Sequence, residues 1–304
     1  MGNNYGVCIS VTGKGSTDHI RQKPPWLRVR IPAGDLYAKL REKITARGLH
    51  TVCDEARCPN VAECWGKHGT ATIMLMGSVC TRSCRFCAVT SGIPQPLDPG
   101  EPERVARAIS DLGLKYVVLT SVCRDDLDDG GALHFTRTVQ EIRNVCPGVR
   151  VEILVPDFGG NTRSIRTLAE VKPDVIGHNI ETVERLTPII RDRRASYNLS
   201  LKVLFLFHEY APESLIKSSI MLGLGETYEE ILATMKDLRG AGVHILTMGQ
   251  YLRPSMRHHP VVEYLPPEQF DRLKKDALAL GFSYVVSGPL VRSSYHALEA
   301  FEKV

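Results

Sequence analysis

At 304 residues, with 43% hydrophobic and 24% charged positions, the chain has an ordinary globular composition, and it is long enough to bury an enclosed site without disulfide staples. A formal charge of +4 fits a solvated surface or an acidic partner and is too small to point to nucleic acid. No apolar run long enough for a membrane span occurs, and the Gly-, Ser- and Asn-containing start lacks the apolar stretch of a secretory signal, so a cytoplasmic setting is expected.

In chain order, residues 1–22 read as a flexible N-terminal extension. Residues 23–68 form a second extension: a proline-bounded extended segment (KPPWLRVRIP), a helix over Asp35–Ala46 with Leu36, Leu40 and Ile44 in register, and a Cys-rich loop from Thr51 to Trp65. Short apolar strands are then predicted at Thr70–Met76, Tyr116–Thr120, Val151–Val155, Val175–Asn179, Ser219–Leu222 and Ile245–Met248, with a further apolar run at Tyr284–Ser287. Helices are predicted between them at Glu103–Leu112, Ala132–Val145, Arg163–Val171 and Tyr228–Ala241. Strands that are apolar throughout and alternate with helices belong to a parallel sheet buried on both faces. The expected fold is α/β, a partial (β/α)6-type barrel over residues 69–282 with N- and C-terminal extensions, the last being 283–304; an open doubly wound sheet is the competing arrangement. Leu199–Tyr210 fits either a buried helix or a strand.

The chain has nine cysteines, and six of them fall in two triplets. Cys80, Cys84 and Cys87 form CxxxCxxC directly after the first strand of the alternating region, where barrel enzymes place their catalytic loops. Three thiolates this close can hold three corners of a cubane cluster and leave the fourth iron open. Zinc wants four ligands, commonly from paired CxxC units, and a bacterial ferredoxin has a shorter first gap followed later by Cys-Pro. Cys53, Cys58 and Cys64 form CxxxxCxxxxxC, a second incomplete metal site. Cys8, Cys123 and Cys146 stand alone, Cys123 as a spare thiol.

CxxxCxxC with Phe86 in the aromatic position resembles the radical S-adenosylmethionine superfamily. The two triplets together resemble the lipoyl synthase family, and the likeness runs from about Lys23 to Ala297 through CDEARCPNVAEC, GTATIMLMG, SVCRDDLDDGGA, HNIETV, KSSIMLGLGET, GQYLRPS and GPLVRSSYHA. The resemblance implies two 4Fe-4S clusters. One, on Cys80, Cys84 and Cys87, binds and cleaves S-adenosylmethionine. An auxiliary one, on Cys53, Cys58 and Cys64, is completed by the oxygen of Ser293 in Arg-Ser-Ser-Tyr. Read without the resemblance, that serine is turn or cap chemistry.

The implied activity is that of a sulfurtransferase inserting two sulfur atoms at carbons 6 and 8 of an octanoyl-lysine, with sulfur drawn from the auxiliary cluster. The implied partners are octanoylated lipoyl domains of 2-oxoacid dehydrogenase complexes or the glycine-cleavage H protein, and an electron donor such as ferredoxin or flavodoxin; neither nucleic acid nor a membrane is expected. Asn179 and Glu181 close a strand where they can meet ribose or amine of S-adenosylmethionine. Arg194, in a run that would otherwise be solvated, can hold its carboxylate in bidentate fashion. Asp128–Gly131 and Gly223–Glu226 read as turns with helix-starting acidic residues, and His258-His259 as a surface pair. A biotin-synthase-like sulfur transferase and a non-catalytic zinc or electron-transfer protein are the alternative classes.

Overall fold

The computed structural model describes residues 23–28, 42, 47–52, 60, 71–295 and 297–304. The helix expected over Asp35–Ala46 and the whole second cysteine triplet lie outside the described residues.

The main sheet has eight strands in the order β1 (His50–Thr51), β2 (Ala71–Leu75), β5 (Tyr116–Ser121), β6 (Arg150–Leu154), β7 (Val175–Gly177), β8 (Leu215–Leu222), β9 (Ile245–Gln250) and β10 (Tyr284–Gly288). Only β1 runs antiparallel, and β2 to β10 are parallel. Two short strands, β3 (Val79–Cys80) and β4 (Thr90–Ser91), pair separately in the loop after β2. Spatial order follows sequence order throughout. Right-handed crossovers that never reverse direction put the connecting helices on one face, so the sheet is barrel-like, whereas a doubly wound sheet would reverse at a switch point. The ends of the sheet, β1–β2 and β10, do not pair with each other. Tyr284–Gly288 adds a seventh parallel strand to the expected six.

Among the described residues the helices are α1 (Glu101–Leu112), α2 (Ala132–Val145), α3 (Thr162–Ala169), α4 (Thr187–Ile190), α5 (Tyr197–Tyr210), α6 (Tyr228–Gly240), α7 (Pro267–Ala279) and α8 (Ala297–Glu302). The ambiguous segment is α5. Ser196 caps it by accepting from Leu199 N–H, and Ser200, Val203, Leu204 and Phe207 are buried on one face while Phe205 stays exposed, the 3.6-residue period of a helix. α6 opens with a full capping box between Thr227 and Glu230.

Side-chain alternation along β5 divides the interior. Val117 and Leu119 join the large core under the helices, whereas Tyr116 and Val118 point the other way and pack with Ala297, Leu298 and Phe301 of α8. The C-terminal helix therefore covers the helix-free face near the strand beginnings. On the neighbouring strands Lys217 Nζ donates to Glu152 Oε1 at 2.8 Å, and Tyr116 Oη donates to Glu152 Oε2 at 2.6 Å. All three are buried. A buried charge is tolerable only with such partners.

Candidate active site

The CxxxCxxC loop leaves β2 through a sharp turn in which Met76 and Gly77 both have positive φ (65° and 82°). For a methionine that conformation is strained, and its surroundings hold it. Met76 N–H donates to Glu101 Oε2 at 2.9 Å, and His134 Nε2 lies 2.6 Å from the same oxygen. The loop is then anchored from within by Arg82. Its guanidinium donates to both carboxylate oxygens of Asp125 and of Asp157, with Nη1 2.6 Å from Asp157 Oδ2 and Nη2 2.7 Å from Asp125 Oδ1. Burial alone would raise the Asp157 carboxyl, but the bonds and charge of Arg82 outweigh it and hold the group below the usual carboxylate range.

Backbone N–H groups converge on the sulfurs. Cys123 N–H and Arg82 N–H donate to Cys80 Sγ at 3.3 and 3.4 Å, and Asp192 N–H donates to Cys84 Sγ at 3.3 Å. Such donors favour thiolate and tune an iron–sulfur cluster. The side-chain hydrogen bond with Cys123 lowers the Cys80 thiol to about 6, so Cys123 is a neighbour of the site rather than a spare thiol. Burial pushes Cys84 up and Cys87 to about 12; bound metal would take the place of those protons. Among the described residues no three Cys, His, Asp or Glu side chains close around a single ion. Three thiols on one loop, with backbone N–H donors already on two of them, suit the thiolates of a cluster.

Two outer segments brace this loop. Arg85 N–H donates to Ile190 O at 2.8 Å, and His259 N–H donates to Arg85 O at 2.8 Å. His258 Nε2 sits 2.9 Å from Cys87 O, so the histidine pair packs on the cysteine loop. Phe86 is partly buried against the main core. Asp192 accepts from Ser83 N–H at 3.0 Å and from Arg194 Nε at 2.9 Å, and these bonds hold its carboxyl well down.

Besides Phe86, the structure spreads the residues expected near S-adenosylmethionine, Asn179, Glu181 and Arg194, over two places. Asn179 Nδ2 donates to Glu181 Oε1 at 3.2 Å, just beyond β7, which ends two residues earlier than its apolar pattern indicates. Glu181 is half-buried with φ of 70°, a strained backbone held by bridging to Ile220 of β8. Its burial pushes the carboxyl up, against the opposing charge of Arg191. Arg194 instead spends its donors on Asp192 and Thr81 O, with Asp125 alongside, tying the cysteine loop to the segment after α4.

Sequence reasoning passed over Arg191, which is buried and donates to Ser200 Oγ at 2.7 Å. Ser200 in turn meets His178 Nε2 at 2.9 Å, and His178 Nδ1 lies 2.9 Å from Val155 O. The carbonyl can only accept, so Nδ1 carries the proton, and burial lowers His178 to about 4. The arginine run in the sequence gave one usable signal, a basic cluster following a Pro-containing turn, without showing which member turns inward.

Asp129 caps α2 as expected, accepting from Gly131 N–H and Leu133 N–H. The Gly223–Glu226 turn precedes the true N-cap, Thr227, and Glu226 accepts from Leu224 N–H at 2.9 Å.

Asn60, which lies between Cys58 and Cys64 in sequence, is described and buried, and its Nδ2 donates to Leu290 O at 2.6 Å. The segment after β10 continues through Ser293. Val291 O occupies the space a side chain on Gly249 would need, Arg292 Nη1 reaches Gln250 O at 3.3 Å, and Thr72 Oγ1 donates to Ser294 Oγ at 3.0 Å. Residues 289–295 therefore bridge the unpaired ends of the sheet, from β9 across to β2, and meet Asn60 there.

The family model for the radical SAM superfamily matches residues 74–238, and that for the N-terminal domain of lipoyl synthase of the radical SAM family matches residues 10–58. The chain is 56% identical over 92% of its length, and 95% of the relative's, to a lipoyl synthase of Anaeromyxobacter sp. (strain Fw109-5). It is 54% identical to that of Thermus thermophilus over 92% of this chain and 87% of the relative. A mitochondrial lipoyl synthase of Culex quinquefasciatus is 54% identical over 95% of this chain and 77% of its own. Among solved structures, HydG, a maturase of the [FeFe]-hydrogenase, superposes with a TM-score of 0.55 at 14% identity over 76% of this chain and 62% of its own, a likeness of fold. The cysteine loop after β2, the parallel barrel-like sheet and identity along nearly the whole length agree: the chain belongs to the lipoyl synthase family of the radical SAM superfamily.

Proposed function

We propose that the chain converts a protein-bound octanoyl-lysine into a lipoyl group, with one 4Fe-4S cluster on Cys80, Cys84 and Cys87 and an auxiliary 4Fe-4S cluster on Cys53, Cys58, Cys64 and Ser293. The observation that supports this reading is the Asn60–Leu290 hydrogen bond, by which a residue between Cys58 and Cys64 in sequence meets the strand-bridging segment that holds Ser293. When bound, the first cluster supplies the electron that cleaves S-adenosylmethionine, and the auxiliary one supplies sulfur. Two C–H bonds, at carbons 6 and 8, are replaced by C–S bonds. Each hydrogen leaves on one 5′-deoxyadenosine, so two S-adenosylmethionine molecules are consumed for each lipoyl group.

The protein's own tasks are positioning and exclusion. Arg82, Glu101 and Asp192 fix the loop of the first cluster. Asn179 and Glu181 present a carboxylate and an amide at the strand ends, suited to an ammonium or a ribose hydroxyl. Arg194 is assigned to the methionyl carboxylate, which requires it to exchange one of its present acceptors. The substrate is the octanoylated lipoyl domain of a 2-oxoacid dehydrogenase complex or the glycine-cleavage H protein, and a ferredoxin or flavodoxin supplies electrons, in the cytoplasm.

Anaerobic reconstitution followed by iron and sulfide counting tests the cluster content: about eight irons are expected. Cys84→Ala should abolish release of 5′-deoxyadenosine. Cys58→Ala should preserve release and abolish sulfur insertion into an octanoyl-lysine peptide. Equal behaviour of the two variants, each with its remaining cluster loaded, would overturn this division of roles.

A further inference from the structure

The outer side of the cysteine loop carries charge that the reaction does not use. Arg85 lies between two cluster cysteines and is exposed. Its backbone is hydrogen-bonded on one side to Ile190 and on the other to His259, which brings two further segments alongside, with exposed Arg193 on one and exposed Arg257 on the other. The nearby acidic groups, Asp125 and Asp192, are already engaged by Arg82 and Arg194. Among the described residues no carboxylate is paired with Arg85, Arg193 or Arg257. The same segments carry exposed apolar side chains: Ile189 at 43%, Met256 at 55% and, next to a glycine whose N–H bonds to Cys80 O, Ile93 at 92%. Exposed basic and apolar side chains gathered on adjoining segments are the composition of a transient protein-docking face, and its charge attracts an acidic partner.

We infer that this face, formed by Arg85, Arg193 and Arg257 around Ile189 and Met256, is the docking surface for an acidic one-electron carrier protein that reduces the cluster. The inference rests on the proposed role of Cys80, Cys84 and Cys87. One electron leaves the carrier and lowers the cluster's charge by one, and no proton or atom need cross the interface. Position selects this occupant over an acidic lipoyl domain. An electron donor must sit on the surface nearest the cluster; Arg85 is within the cysteine loop, and Arg193 and Arg257 lie two or three residues from Ile190 and His259, which are hydrogen-bonded directly to it. A lipoyl domain carries its octanoyl chain on an extended lysine arm and can dock farther away.

The test uses the reconstituted holoenzyme with reduced flavodoxin, an acidic carrier, in parallel with dithionite, which needs no docking face. The variant Arg193→Glu/Arg257→Glu should raise the KM for flavodoxin in S-adenosylmethionine cleavage roughly tenfold or more and flatten its dependence on ionic strength. Its dithionite-driven rate and iron content should match wild type, and its affinity for oxidised flavodoxin, measured by calorimetry, should fall in parallel. The milder Arg193→Gln/Arg257→Gln should move the same quantities in the same direction by less. An unchanged KM for flavodoxin, an equal loss with dithionite at full iron content, or weakened binding of the lipoyl domain with flavodoxin unaffected would each overturn the inference. Failure of wild type itself to cleave S-adenosylmethionine with dithionite would instead refute the cluster assignment beneath it.

Discussion

Two buried residues show how the fold manages charge at the level of single side chains. His178 is neutral because its Nδ1 proton goes to Val155 O and its Nε2 faces a serine already held by Arg191. Its pKa lies near 4 in the folded chain, against 6.5 when exposed, so between those values the unfolded chain binds the extra proton. The stabilisation is complete above about pH 6.5 and is lost as the pH falls toward 4, with a full amplitude on the order of 2–3 kcal/mol. Urea unfolding of the metal-free chain at pH 7 and pH 5 should show this slope, and His178→Asn should flatten it. Lys217 is the opposite case, a charge kept in place by Glu152. Lys217→Met should cost about 3 kcal/mol or more in the same assay, and adding Glu152→Leu with Tyr116→Phe should recover most of the loss.

Among the elements, β8 and α7 show where the sequence stopped being readable. β8 starts at Leu215, but Lys217, Ser218 and Ser219 interrupt its apolar pattern. They are buried through partners on other strands, and no local signal reveals those partners. Residues 267–279 carry a Pro-led start and buried Phe270, Leu273 and Ala277 at helical spacing, a legible helix that the strand-by-strand reading passed over. The cysteine triplet could be read because its chemistry depends on spacing. Arg82, Glu101 and Arg191 could not, because what they do depends on residues 43, 25 and 9 positions away in sequence. The segment 289–295 adds a test at this scale. Gly249→Ala would place a methyl 2.0 Å from Val291 O, too close for the segment to seat. The first site shares no residue with this contact. Iron content should therefore drop from about eight to about four, with 5′-deoxyadenosine release retained and sulfur insertion lost, as read by iron assay and product analysis.

For the molecule as a whole, consecutive strand order is the property from which the rest follows. It puts all the large helices on one side, leaves the other side to α8 and a few polar pairs, and gathers the loops of successive strands at one rim. That alternation was plain in the sequence, and so was the parallel sheet of a partial barrel; which strands stand at its open ends was not, since that depends on curvature that no short window encodes. The bridge across those ends also fixes an order in time. Every described residue that braces Cys80, Cys84 and Cys87 lies between Met76 and His259, whereas Leu290 and Ser293 follow later in the chain. Domains fold as their chain emerges, so the first cysteine loop can reach its shape while the segment that meets Asn60 is still inside the ribosome. On the proposed reading, loading of the first cluster and completion of the second site then become separate events in the life of each molecule, in that sequence.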